Sequence, residues 1–343
     1  MSTTSLKTVT GALQPTIDHV ITQPFLRKKK FITTTLLALL LIGTSILLIF
    51  HAYIAWTLGR PHIEPLHSNP MKSVRLPYSD VSFPSYNGKS KLDGWFIPAG
   101  GATKTVIFSH GYGGNREEEW VPLYKLAREL HAQHYNVLMF DYGYVNPSNH
   151  RLMTGGIQES QELLGAIEYV KQTNGGSIYV WGFSMGAGTA LQAALQQNGD
   201  ISGMILDSTF LLNADTLYLN MNQIVHVPKY PSLQLVRLFF PVLNGVSLRQ
   251  VPYTQVTTTS YSMPIFLIHG TEDNKAPHNL VEAMFKQQHN TSSKIWILPG
   301  AKHELLYRAE PKTYVSRTMN FLNGIESSTA AAVQPNLGIP SSL

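Results

Sequence analysis

Ser184 stands between two glycines in the run Gly182-Phe183-Ser184-Met185-Gly186. The bare pattern G-x-S-x-G arises often by chance, so its meaning depends on what flanks it. An apolar run, Ser177–Trp181 (SIYVW), precedes it, and a helix-forming stretch, MGAGTALQAAL, follows. A strand that turns sharply into a helix at a serine holds the hydroxyl above the sheet edge, and glycines two residues either side keep neighbouring elements clear of it. The competing reading of Ser184 is an ordinary helix N-cap.

A serine hydroxyl is a poor nucleophile at neutral pH and needs a base within hydrogen-bond reach. His303 lies in ILPGAKHE, just after the last apolar run of the chain. An acid must then fix the imidazole tautomer and stabilise imidazolium. HGTEDNKAP follows the run PIFLI and offers Asp273. Glu272 beside it and Asp207 at the end of an earlier run are the rivals. The order serine, acid, histidine after successive strands favours Asp273. The other histidines precede this slot or fall on helices and linkers, where surface or core contacts account for them.

A developing oxyanion needs backbone donors. His110-Gly111-Tyr112-Gly113-Gly114 follows the run TVIFS and supplies a glycine-rich loop. Its Tyr112 N–H, with the N–H of Met185 after the nucleophile, would make the pair. There is no G-K-[ST] and no G-x-G-x-x-G entering a helix, which argues against a nucleotide site. Asn115-Arg116-Glu117-Glu118-Glu119 reads as helix-start chemistry, with acids near the positive end of the dipole. Cysteine is absent, which excludes disulfides, thiolate metal sites and cysteine nucleophiles.

These residues are positioned by an alternation of elements. A hairpin, SDVSFPSYNGKS and KLDGWFIPA, turns at Asn87-Gly88. Short apolar runs at Thr105–Ser109, Tyr135–Phe140, Ser177–Trp181, Ile201–Leu206, Pro264–His269 and Ile295–Leu298 read as strands buried on both faces. Helical patterns at Glu117–Gln133, Gly156–Gln172, Met185–Gln197 and Pro311–Asn323 lie between or after them. Strands alternating with helices imply an α/β architecture with a doubly wound, mainly parallel sheet. Residues 210–262 break the rhythm with clustered Leu, Phe and Tyr and five breakers (Pro228, Pro231, Pro241, Gly245, Pro252). They read as a small helical cap over the carboxyl edge of the sheet, where ligands sit in such folds.

Four elements in this order, each after a strand, resemble the α/β-hydrolase fold superfamily over residues 78–325. The HGYGGNRE run is similar to the oxyanion loops of bacterial membrane-anchored serine hydrolases. The resemblance implies an eight-stranded sheet, a Ser184–Asp273–His303 triad, and ester or amide hydrolysis with no cofactor and no metal. One departure is the run after the fourth strand. Relatives carry Asp-x-Arg-Gly-x-Gly-x-Ser, whereas this chain has Asp141-Tyr142-Gly143-Tyr144-Val145-Asn146-Pro147-Ser148, without the arginine.

Composition adds a second theme. Of 343 residues only 14% are charged, against roughly 25% in typical domains. Five basic residues (Lys7, Arg27, Lys28, Lys29, Lys30) and one acid (Asp18) fall within residues 1–56, so most of the net +5 is there and the rest is nearly neutral. No basic groove for nucleic acid is implied. Residues 31–56 carry no charge, and about 20 such residues cross a bilayer core of roughly 30 Å. The apolar run is too long for a signal peptide and lacks its cleavage pattern. Arg27-Lys28-Lys29-Lys30 before the span puts residues 1–30 in the cytoplasm and residues from 57 onward outside. Residues 57–77, rich in Pro and His, read as a linker, and residues 326–343 as a disordered tail.

The function expected is that of a membrane-anchored serine hydrolase acting on a small or lipid-like acyl ester. An acyltransferase on the same machinery and a non-catalytic anchored binding protein are the alternatives.

Overall fold

The computed structural model of the protein describes Met1, residues 16–118 and residues 120–333. The chain divides into two compact units, Met1–His51 and Ala52–Leu343.

The first unit is the greater part of helix α1 (Thr16–Leu58), which extends the expected span at both ends. From Leu26 to Leu58 the mean hydropathy reaches 2.4, and none of the most apolar stretch is buried by protein. Hydroxyls within it need no outside partner. Thr33, Thr34 and Thr35 donate to the carbonyls of Lys29, Lys30 and Phe31 at 2.8, 2.9 and 2.9 Å, which suits a helix in an apolar solvent.

The second unit begins with the end of α1 and a short helix, α2 (Pro70–Val74). The hairpin follows as β1 (Ser79–Pro84) and β2 (Lys91–Ile97), with Gly88 at φ 68° in its turn. Then come β3 (Lys104–Ser109), α3 (Leu123–Ala132), β4 (Asn136–Phe140), α4 (Ile157–Thr173), β5 (Ser177–Phe183), α5 (Met185–Gln196) and β6 (Gly203–Asp207). Two cap helices, α6 (Ala214–Ile224) and α7 (Lys229–Asn244), and a short α8 (Tyr253–Thr258) precede β7 (Ile265–Gly270). The chain closes with α9 (Asn279–Phe285), β8 (Lys294–Leu298), α10 (Leu306–Ala309) and α11 (Pro311–Val333).

The eight strands form one sheet in the order β1-β2-β4-β3-β5-β6-β7-β8. Only the β1–β2 and β2–β4 pairs are antiparallel; the rest are parallel. Side chains alternate across it. Ile107, Leu138, Val180 and Leu206 pack on the face covered by α4, α5 and α9. Val106, Val137, Trp181 and Ile205 pack on the face covered by α3 and α11. Burial on both faces explains why the central strands read as unbroken apolar runs. Trp181 stacks on Tyr314 of α11 at 6.0 Å between ring centroids. Each large side chain buried this way contributes about 1.5–3 kcal/mol.

Further boundaries differ from the sequence reading. Helix α3 starts at Leu123, not Glu117, because Pro122 sits at its N-cap and residues before it are occupied elsewhere. Residues as far as Val251 pack in the cap's apolar cluster, whereas Val256 and Tyr261 pack into the core beneath it. Residues 57–77 are not a free linker, since Leu58 joins the cap's apolar cluster and Leu76 the core. Helix α11 runs on to Val333, into the segment read as a disordered tail. The rest of that tail, 334–343, and residues 2–15 of the amino-terminal segment lie outside the described residues.

Candidate active site

Strand β5 ends at Phe183 and α5 begins at Met185, so the turn between them is a single residue. Ser184 occupies it at φ 50° and ψ −116°, a conformation that a side chain rarely tolerates. The turn is held by backbone bonds at Ser184, among them one from the Gly188 N–H to its carbonyl at 3.2 Å. Ser184 N–H donates to the Asp207 carbonyl at 2.9 Å, and its own carbonyl accepts from Phe210 and Ala187 at 3.1 Å each. A methyl on Gly182 would stand 2.6 Å from the Ala187 Cα, and one on Gly186 would overlap the Ser109 carbonyl. The flanking glycines are therefore required by close approach. The hydroxyl of Ser184 makes no capping bond to the helix, which sets aside the N-cap reading.

That hydroxyl points instead to His303, whose Nε2 accepts from Ser184 Oγ at 2.7 Å. His303 lies in the loop after β8, and its Nδ1 donates to Asp273 Oδ2 at 2.6 Å. A carboxylate only accepts, so the proton of neutral His303 is on Nδ1 and Nε2 is free to take one. Asp273 follows β7. Its Oδ1 accepts from the backbone N–H groups of Lys275 and Ala276 at 2.9 and 2.8 Å. His269 Nε2 lies 3.0 Å from Oδ2 and 2.8 Å from the Ala276 carbonyl. Burial acts to raise the Asp273 carboxyl, but hydrogen bonds from His269 and His303 outweigh it and hold the pKa well below the usual range. Burial pushes His303 below the ordinary imidazole value, opposed by its bond to Asp273. The histidine is thereby neutral and the aspartate ionised near pH 7.

The rival acids are elsewhere. Glu272 is exposed and offers only its backbone N–H, to Ala301. Asp207 is buried and accepts from the hydroxyls of Tyr314 and Ser208 at 2.6 and 2.8 Å. Burial lifts its pKa to about 6 against those two bonds.

The loop after β3 brings Tyr112 to the same cavity as Ser184. Neither the Tyr112 nor the Met185 N–H makes a backbone bond outside regular elements among the described residues. The loop is braced from below by residues the sequence reading did not assign. His110 is buried, and burial lowers its pKa to about 4. Neutral, its Nδ1 donates to the Gly111 carbonyl at 3.0 Å while Nε2 accepts from the Tyr142 N–H at 3.2 Å. Arg116 grips Asp141 with its backbone N–H and two guanidinium donors at 2.6, 2.9 and 2.7 Å. These contacts hold the start of the Asp141 loop, the run that lacks the arginine expected from the family resemblance.

Glu117 and Glu118 do not start a helix. Glu117 accepts from the His67 N–H at 2.7 Å. Glu118 turns inward and accepts from the Gly111 N–H at 2.9 Å. Glu119 lies outside the described residues. Glu304, next to His303, is also buried, with Oε2 3.9 Å from His303 Nε2. Burial, and then the Glu118 carboxylate, raise its pKa well above the ordinary value.

The cavity over Ser184 measures about 480 Å³. Leu212, Leu217, Ile224 and Phe240 of the cap region line it, with Leu58 and Pro61 from the chain leaving α1. No sequence signal marked residues 57–64 as part of the site. Among the described residues, no group of His, Cys, Asp and Glu is arranged to hold a metal ion. The assembly can take a proton from Ser184, hold the resulting cation against a buried carboxylate, and enclose an apolar chain.

A family described as the alpha/beta hydrolase fold matches residues 104–248. The uncharacterized protein YfhR of Escherichia coli strain K12 is 25% identical over 254 residues, covering 70% of this chain and 81% of that protein. YfhR of Salmonella typhimurium is 24% identical over 236 residues, 64% and 73% of the two chains. Among solved structures, the Pyrococcus furiosus esterase Pf2001 superposes with a TM-score of 0.62 at 26% identity, covering 77% of this chain and 98% of that one. Est1E from Butyrivibrio proteoclasticus gives a TM-score of 0.53 at 18% identity over 73% and 100% of the two chains, a likeness of fold alone.

Proposed function

Because this chain has the α/β-hydrolase fold, we propose that it is a membrane-anchored serine hydrolase that cleaves carboxylic esters. The observation that carries the reading is the continuous hydrogen-bonded line from Ser184 Oγ through His303 to Asp273, at 2.7 and 2.6 Å. Ser184 Oγ attacks the ester carbonyl carbon while His303 Nε2 takes its proton. The carbonyl oxygen becomes an oxyanion facing the N–H groups of Tyr112 and Met185. Asp273 stabilises the imidazolium. The carbonyl re-forms, the alcohol leaves with the proton from His303, and an acyl-enzyme remains on Ser184. Water, activated by His303, then releases the acid and restores the serine. Apolar lining around Ser184 suits an uncharged acyl chain, small or lipid-like.

Helix α1 serves as the anchor, with Arg27-Lys28-Lys29-Lys30 on the cytoplasmic side and the catalytic unit outside. The similar Pyrococcus furiosus protein is an esterase, which supports the reaction class. The test is labelling by a fluorophosphonate probe. We expect the full chain to be labelled and Ser184→Ala to be neither labelled nor active, with ester turnover reduced more than about 10³-fold. Retained labelling in Ser184→Ala would overturn the assignment of the nucleophile.

A further inference from the structure

Helix α7 is apolar on two sides. Leu233, Val236, Phe240 and Asn244 point inward, at the spacing of three and four that lines one side of a helix. The opposite side carries Pro231, Leu235, Leu238 and Val242 at the same spacing. Leu238 is 62% exposed and Val242 79%. Ile224 and Tyr230, at the α6–α7 turn, are exposed as well. A helix of a water-soluble cap carries polar residues across its outer side, whereas here the exposed Gln234 and Arg237 only flank an apolar stripe.

The place of α7 in the chain says what lies against that side. Asn244, half a turn beyond Val242, donates from Nδ2 to the Ala55 carbonyl at 2.7 Å. Arg60 donates to Asn244 Oδ1 at 3.0 Å and to the Leu243 carbonyl at 3.1 Å. Ile54, Ala55 and Leu58 pack with Val236 and Phe240 in one cluster. Residues 52–58 are the end of the apolar helix, so the last turns of α7 are pinned to the carboxyl end of the helix read above as the anchor. Trp56 exposes its ring there and stacks on Tyr53, as aromatic side chains do at the headgroup level. Charge agrees with this placement. Residues 210–262 hold three cations (Lys229, Arg237, Arg249) and one acid (Asp215), and cations beside an apolar helical stripe favour a phosphodiester surface.

We propose that the outer side of α7 lies in the headgroup layer of the bilayer that holds α1, with Leu238 and Val242 reaching the acyl boundary. The inference rests on the anchoring reading above. Ile224 both lines the cavity and is exposed, so the site opens beside this surface. An ester whose tail is dissolved in the bilayer would then reach Ser184 without first entering water.

The absence of cysteine permits single-site labelling of the full chain. Val242→Cys, Leu238→Cys, Gln172→Cys and Leu40→Cys would each carry an environment-sensitive fluorophore. Each would be reconstituted in vesicles of phosphatidylethanolamine and phosphatidylglycerol containing a spin-labelled lipid. Gln172 is exposed near the end of α4, at the opposite edge of the sheet from the cap. We expect blue-shifted, lipid-quenched emission at 238, 242 and 40, and aqueous, unquenched emission at 172. Quenching at 40 without quenching at 238 and 242 overturns the docking and leaves the anchor standing. No quenching at 40 overturns both. Labels at 238 and 242 shielded from aqueous iodide yet not quenched by lipid would mean that a second copy covers the face, which also overturns the proposal. None of these readouts depends on ester hydrolysis.

Discussion

The backbone N–H of Glu304 donates to the hydroxyl of Ser208 at 2.9 Å, and that hydroxyl donates in turn to Asp207 at 2.8 Å. The end of β6 is thus tied to the loop that carries His303. Asp207 supports the site from behind, whereas Asp273 touches the imidazole itself.

The two aspartates are therefore expected to separate in an experiment. Asp273→Asn should lower kcat by about 10⁴-fold, because the amide favours the wrong histidine tautomer. Asp207→Asn leaves that contact intact, so kcat should change far less. Its cost should appear as a lower Tm, since Tyr314 and Ser208 lose a charged partner worth about 1.5–3 kcal/mol per bond. Steady-state kinetics and thermal denaturation of both variants check this. The reverse pattern would place the working acid at Asp207.

Glu304 gives a prediction about pH. Its carboxyl is buried, Oε1 has no hydrogen-bond partner among the described residues, and Glu118 stands close by. The folded chain holds a proton there that the unfolded chain releases above the ordinary value of 4.5. Stability from this group is full below that value and falls as pH rises toward the raised folded pKa, by at most about 1.4 kcal/mol per pH unit. Glu304→Gln mimics the protonated form and does not titrate. Denaturant unfolding at a series of pH values should show the variant gaining on the wild type as pH rises. A constant difference between the two would mean that Glu304 is ionised in the fold.

The legibility of this site in the sequence follows from how local each feature is. Ser184 was readable because a one-residue turn between a buried strand and a helix forces glycines into fixed neighbouring positions. Asp273 and His303 were readable because they follow the last two strands, and strands buried on both faces leave plain apolar runs. Glu117 and Glu118 looked like the first turn of a helix, since nothing in their spacing says that one carboxylate turns inward to Gly111. The bracing roles of His110 and Ser208 have no local signal, because each depends on a partner in a distant loop, Tyr142 for one and Glu304 for the other. The role of Leu58 and Pro61 in the cavity depends on the cap folding back over them, which no local pattern encodes.

The cavity makes a prediction about chain length. Burial of each methylene is worth about 0.8 kcal/mol, so two added methylenes can raise kcat/KM about tenfold while the chain still fits. With a volume of about 480 Å³ over Ser184, butyrate and hexanoate esters should be preferred to acetate. Leu217→Trp should fill part of that space, depressing kcat/KM for longer esters while leaving acetate little changed. A flat profile from acetate to octanoate would remove the acyl role of the cap and leave the Ser184–His303 contact untouched.

The cluster of Ile54, Ala55 and Leu58 with Val236 and Phe240 also sets where the chain can be cut. The carboxyl end of α1 and the helix that roofs the cavity share one seam, so trimming from the amino terminus reaches the roof before it reaches the hairpin. A version starting at Thr57 would lose Ile54 and Ala55 from beneath α7, along with the carbonyl that Asn244 binds. A version starting at Ala52 keeps the seam whole, so for expression the catalytic unit begins inside the final turns of α1.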